Sequence, residues 1–158
     1  MRWRSLFAGV ILVLACAPSL GGCGGGSSRL SASAYRARLA TLGKEANEAQ
    51  GNVEKAFSAK SVAEIQARLK AFATADDRLG DEASSLKPPK DAETANAELA
   101  RGEHDTAAAT RSVIPKLAKF TSAKAAIAFL NKAVQPKGGR EIDHALAQLN
   151  KLGYAKGS

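Results

Sequence analysis

SAYRARLATLGKEANEAQGNVEKAF, residues 33–57, repeats an apolar side chain at alternating steps of four and three: Tyr35, Leu39, Leu42, Ala46, Ala49, Val53 and Ala56. A helix of 3.6 residues per turn gathers such positions onto one stripe, whereas a half-buried strand would need strict alternation. Polar residues fill the gaps, so the segment reads as an amphipathic helix with Ser33 placed to cap its first turn. A stripe this long and regular requires an equally long antiparallel neighbour.

The neighbour follows at once. Ser61 and Glu64 are spaced as a capping box, and Ile65, Leu69, Phe72, Leu79, Ala83 and Leu86 continue the same seven-residue phase. Asp76 stands in the one slot of that phase where an apolar residue is expected, with Ala75 beside it to cover part of the gap. Pro88 and Pro89 end the helix, because proline donates no backbone hydrogen bond and its ring clashes with the preceding turn. The short link between the two helices dictates an antiparallel hairpin.

Beyond the prolines, Asp91 is the expected cap of a third helix, with Glu93 in its first turn. Its stripe of Ala92, Ala95, Leu99, Gly102, Thr106, Ala109 and Val113 is made largely of small residues, so its neighbours must hold it in place. Pro115 should kink or end it. Val113, Leu117 and Phe120 then share one phase while Ala123, Ile127, Leu130 and Val134 share another, which places a break near Thr121 and Ser122. QPKGGR, residues 135–140, reads as an inter-helix turn. A last helix carries Ile142, Leu146 and Leu149, with Gly153 as its stop and Tyr154 folding back on it. The chain has 33 alanines and only 5% aromatic residues, a composition that favours helix over strand. The expected fold is all-α: a bundle of three long helices plus a shorter C-terminal pair over residues 33–158.

On the N-terminal side, Arg2 and Arg4 precede an apolar run from Leu6 to Ala17, which Pro18 closes. That length suits a signal peptide and is short for a membrane span. Leu20-Gly21-Gly22-Cys23 then resembles the lipobox of bacterial lipoproteins. The resemblance implies cleavage before Cys23, acylation of its thiol, and residence on the outer face of the cytoplasmic membrane. The LKPP turn before an alanine-rich helix resembles small uncharacterised helical domains of Gram-positive lipoproteins, which bring no assigned activity. Residues 1–22 are thus expected to be a signal peptide, and residues 23–32 an acylated cysteine and a Gly/Ser tether. A flexible chain of that length reaches about 15–20 Å. Cys16 would leave with the signal, and acylated Cys23 would be the one cysteine remaining, so neither a disulfide nor a thiolate metal site is expected.

Charge is unevenly spread. Residues 23–105 hold twelve bases and thirteen acids, and residues 106–158 nine bases and two acids. Lys124, Lys132, Lys137 and Arg140 are the candidate contacts to an anionic surface, either lipid head groups or cell-wall polymers. Nucleic acid is not an expected partner, because the lipobox resemblance implies a place outside the cytoplasm.

Catalytic groupings are sparse. Glu141 and His144 are spaced like half of a di-iron ligand set, but Arg101 stands where His104 would need its glutamate. DDRLGDE, residues 76–82, lacks the ligand pattern of a calcium loop, and Arg78 and Glu82 are spaced as a helical ion pair. Lys137, Arg140 and the glycines between them stand before a helix, as in a phosphate cradle, although a plain turn suits them better. No nucleophile elbow, phosphate-binding loop or dinucleotide fingerprint occurs. The sequence therefore points to a non-enzymatic, lipid-anchored binding or scaffold protein without a cofactor. The alternative is a lipoprotein that holds a small ligand or metal inside the bundle for a transporter.

Overall fold

The computed structural model describes residues 29–133 and 137–155, and all regular structure among them is helical. The helices are α1 (Ala32–Phe57), α2 (Val62–Ser85), α3 (Glu93–Val113), α4 (Ala123–Ala133) and α5 (Lys137–Lys151). Short 3₁₀ segments at Lys90–Ala92 and Ile114–Lys119 flank α3. The bundle of three long helices and a shorter C-terminal pair is present. Residues 1–28, with the signal peptide, Cys23 and most of the expected tether, lie outside the described residues, as does Val134. No helix among the described residues is long and apolar enough to cross a membrane.

α1 buries the expected stripe: Tyr35, Leu39, Leu42, Ala49, Val53 and Ala56 are buried, and Ala46 is partly so. Its cap is Ser31 instead of Ser33, with the Ser31 hydroxyl accepting from Ala34 N at 3.2 Å. The tether assignment also ends too late. Leu30 N donates to Lys87 O at 2.7 Å and Arg29 pairs with Glu93 at 2.6 Å, so residues 29–32 belong to the folded body.

α2 begins as expected, with Ser61 accepting from Glu64 N at 3.1 Å. The reciprocal bond of the box falls one residue early, on Lys60 N (3.2 Å). The start of α3 differs more. A 3₁₀ turn intervenes, no side chain caps the helix, and the Asp91 carboxylate instead accepts the Tyr154 hydroxyl at 3.0 Å.

α3 is buried along two adjacent stripes, which explains its weak pattern. Ala95, Leu99, Gly102, Thr106 and Val113 form one, while Asn96, Ala100, Glu103, Ala107 and Thr110 form the other. It packs against α2 on one side and α5 on the other. Pro115 ends it in the 3₁₀ segment, and the break at Thr121-Ser122 is real: α4 starts at Ala123 with Ser122 as its cap.

Gly138, Gly139 and Arg140 lie inside α5, correcting the turn expected there. Gly138 is needed for closeness. A Cβ on it would fall 2.5 Å from Thr106 Oγ1 and 2.6 Å from Thr106 N, and one on Gly102 would fall 2.8 Å from Ile142 Cγ1. The α3–α5 crossing is therefore a backbone-to-backbone seam. The buried side of α5 carries Ile142, Ala145 and Leu149, while Leu146 is 38% exposed, contrary to its expected place in the stripe. The C-terminus of α5 is as foreseen. Gly153 has φ 77°, its N–H reaches Asn150 O, and Tyr154 N reaches Leu149 O at 2.8 Å, the two bonds of a Schellman cap.

The core divides along its length. At the end where residue 29 enters, α1, α2, α3 and α5 enclose Tyr35, Leu39, Leu79, Leu99, Ile142 and Leu149. At the far end α4 takes the place of α5, and Ile65, Leu69, Leu117, Ala126 and Leu130 pack together. Tyr154 closes the near end, edge-on to Tyr35 with ring centroids 5.2 Å apart.

Candidate functional site

Between the two halves of the core the stripes of α2 and α3 carry acids. Asp76 sits between Phe72 and Leu79, Glu103 between Ala100 and Ala107, and both are buried (3% and 8% exposed). Asp76 Oδ2 has no hydrogen-bond partner. Burial, then the neighbouring Glu103 and Asp77 charges, pushes the Asp76 carboxyl up to about 8, against a weaker pull from Arg111. Burial alone pushes Glu103 up to about 7. Each is thus a carboxylic acid that keeps its proton well above the usual range, because the interior disfavours its charge.

The rest of the acidic stretch faces outward. Asp77 is hydrogen-bonded to Arg111 and lies 3.5 Å from His104 Nδ1, and these partners hold its carboxyl below the ordinary value, Arg111 chiefly. His104 also faces Asp81 at 3.6 Å and lies flat against Gly80, where a Cβ would fall 2.8 Å from its ring. Arg78 bridges Glu82 and, from α1, Glu45, at 2.8 Å each, so the helical ion pair read from spacing is present.

One polar group in the core is fully served. The Tyr35 hydroxyl donates to Asn96 Oδ1 (3.0 Å), and Asn96 Nδ2 donates to Ala83 O (2.8 Å). Asn96 lies on the same face of α3 as Glu103, two turns away, so a hydrogen-bonded amide and a buried carboxyl share one stripe.

Glu141 and His144 do not meet at a common centre. Glu141 lies 3.4 Å from Lys137 and 3.5 Å from Arg101, whereas His144 Nδ1 lies 2.8 Å from Glu98. No three His, Cys, Asp or Glu side chains among the described residues are grouped to hold a metal.

The basic residues singled out from sequence are spread over two helices. Lys124 and Lys132 project from α4 and Arg140 from α5, all exposed and without a hydrogen bond or ion pair to a described residue. Lys137 differs, being bound to Asp105 (3.2 Å) and Glu141, which disposes of the phosphate cradle. Lys116 and Lys119 extend the basic surface across the far end, with the Lys119 ammonium over the rings of Phe120 and Phe129 at 5.3 and 5.1 Å. Beside it a shallow groove of about 360 Å³ is lined by Lys70, Thr74, Arg111, Ile114 and Pro115. Residue 29 enters at the α2–α3 turn, so this surface stands one helix length away. For the 24 residues of α2 that is about 36 Å.

Sequence reasoning missed Glu103. Its signal was the second period on α3, residues 96, 100, 103, 107 and 110, which steps by four and three as regularly as α1 does. Comparison with family models, with curated proteins and with solved structures finds no match for the chain.

Proposed function

We propose that the chain is a lipid-anchored, non-enzymatic helical module on the outer face of a bacterial cytoplasmic membrane of Gram-positive type, which presents its basic far end to an anionic wall polymer. Acylated Cys23 supplies the membrane contact. The observation that carries the reading is the separation of the two ends. The chain enters beside Lys87 and Pro88, while Lys116, Lys119 and Lys124 lie around the opposite tip. An upright body holds those lysines beyond the Debye length of about 8 Å from the anchoring surface, where a polymer and not the head groups is their nearest anionic neighbour.

The apolar interior around Val53 and Phe72 favours this reading over a ligand carried there. The cavity lined by Val53, Phe57, Leu69, Phe72, Thr110, Val113 and Leu130 has a volume of about 10 Å³, room for a single water.

Two measurements test the proposal. Cys23→Ser should abolish labelling by a fatty-acid analogue in cells, and equal labelling of both forms overturns the anchor. The acylated chain should retain a synthetic polyphosphodiester in a salt-dependent way, and Lys116, Lys119 and Lys124 changed together to glutamine should release it. Retention that survives the triple change, or that moves wholly to anionic vesicles, overturns the polymer.

A further inference from the structure

The mid-height carboxyls have no role in that function. Asp76 and Glu103 belong to different helices, both point into the α2–α3 contact, and each interrupts a run of apolar core positions. Natural cores rarely bury a carboxyl without a cation or a full set of hydrogen bonds. Here Asp76 Oδ2 has neither.

The groups around the pair offer little relief. On α3, Arg111 is committed to Asp77 and the Ala73 carbonyl, and His104 lies between Asp77 and Asp81. On α2, Arg78 turns outward to Glu82 and Glu45, the latter being the α1 acid at this level. On α5, Lys137 and Glu141 engage Asp105 and Arg101. With both carboxyls ionised, two like charges would face each other between apolar layers, and only hydration could relieve them.

We infer that Asp76 and Glu103 retain a proton between the halves of the core, and that its loss parts α2 from α3 at mid-height while the apolar ends stay packed. The bundle then has a proton-operated hinge. Glycine marks the place on both helices: Gly80 lies one turn from Asp76, and Gly102 is adjacent to Glu103. Glycine in a helix interior lowers the cost of local opening. Moreover, the near and far cores are separate clusters, and the small third cluster of Ala49, Val53 and Phe72 belongs to α1 and α2, so each can persist when the α2–α3 layer admits water.

The test uses the full chain in detergent micelles, with ¹³C-labelled carboxyls followed by NMR and backbone amide exchange followed by mass spectrometry. Both carboxyls should titrate above pH 6, and Glu103→Gln should lower the Asp76 midpoint by about one pH unit, as coupled sites require. Exchange protection of amides 73–80 and 100–107, corrected for intrinsic rate, should fall about tenfold between pH 5.5 and 8.5, while that of 65–69 and 95–99 holds. Asp76→Asn and Glu103→Gln should each reduce the fall, and the two together should abolish it. Ordinary acidic midpoints for both carboxyls overturn the inference, as does a fall of wild-type size at an unshifted pH in Glu103→Gln. Should Asp76→Asn fail to fold, the wild-type titration and Glu103→Gln still decide the matter.

Discussion

The two buried faces of α3 meet their neighbours by opposite means. Toward α5 the helix offers Gly102 and Thr106, and the backbones touch with no room for a methyl group. Toward α2 it offers Asn96 and Glu103, and the contact is carried by side chains, one of them an acid with no partner cation. The first face is specified by shape and tolerates no added atoms. The second is built from a hydrogen-bonded amide and buried carboxyls, and an apolar side chain in place of a buried carboxyl is expected to stabilise it. Adjacent faces of one helix, with Gly102 next to Glu103 in the chain, can thus respond in opposite directions to the same kind of substitution.

The largest expected effect tests the shape-determined face. Gly138→Leu should destabilise the chain by about 4 kcal/mol, since overpacking here meets Thr106 backbone as well as its side chain. Chemical denaturation checks this, and a wild-type midpoint would mean that α3 and α5 are not in contact at the seam.

The second effect has the opposite sign. Asp76→Leu should stabilise the chain by about 2 kcal/mol at pH 8, with a smaller gain at pH 4. The folded carboxyl holds its proton up to about 8 while the unfolded one releases it near 3.8. Between those values the folded state binds more protons, so wild-type stability falls as pH rises from about 4 to 8 and then levels. Denaturation midpoints across that range should slope downward in the wild type and less steeply in the variant, where Glu103 still contributes. A wild-type midpoint that rises over the same range contradicts the buried acid.

The smallest effect sharpens the contrast within the polar face itself. Tyr35→Phe removes the one donor seen on Asn96 Oδ1 and should cost about 1–2 kcal/mol without altering the pH slope. An altered slope would tie the hydrogen-bonded asparagine to the buried Glu103 carboxyl two turns away.

The sequence was legible where a helix buries a single stripe. α1 does so and α2 nearly so, burying Ala73 and Gly80 besides its main stripe, and most of their apolar residues, the Asp76 slot and the α2 cap fell in place. α3 was only half legible, because burial on two adjacent faces replaces large apolar residues with alanine, threonine, asparagine and glutamate. A glutamate in such a stretch reads as solvated until its surroundings are known. Gly138 was misread for a related reason: paired glycines usually mark a turn, and only the Gly102 side of α3 opposite reveals a need for closeness. At Leu146, three large side chains outweighed the better geometry of Ile142, Ala145 and Leu149. Asp91 lost its capping role to the inserted 3₁₀ turn and gained Tyr154, a partner 63 positions away that no local pattern announces.

That partnership has a topological consequence. Tyr154 reaches Asp91 and Tyr35, Arg36 reaches Gly153 O at 2.8 Å, and Arg29 lies on Pro88, so both ends of the described chain converge on one tip. The described residues thus begin and end beside each other. A short linker joining the two ends, with a new opening at the connection between α1 and α2, would preserve every helix pairing. Such a circular permutant would carry its new termini at the lysine-rich tip, turning the molecule end for end without refolding it.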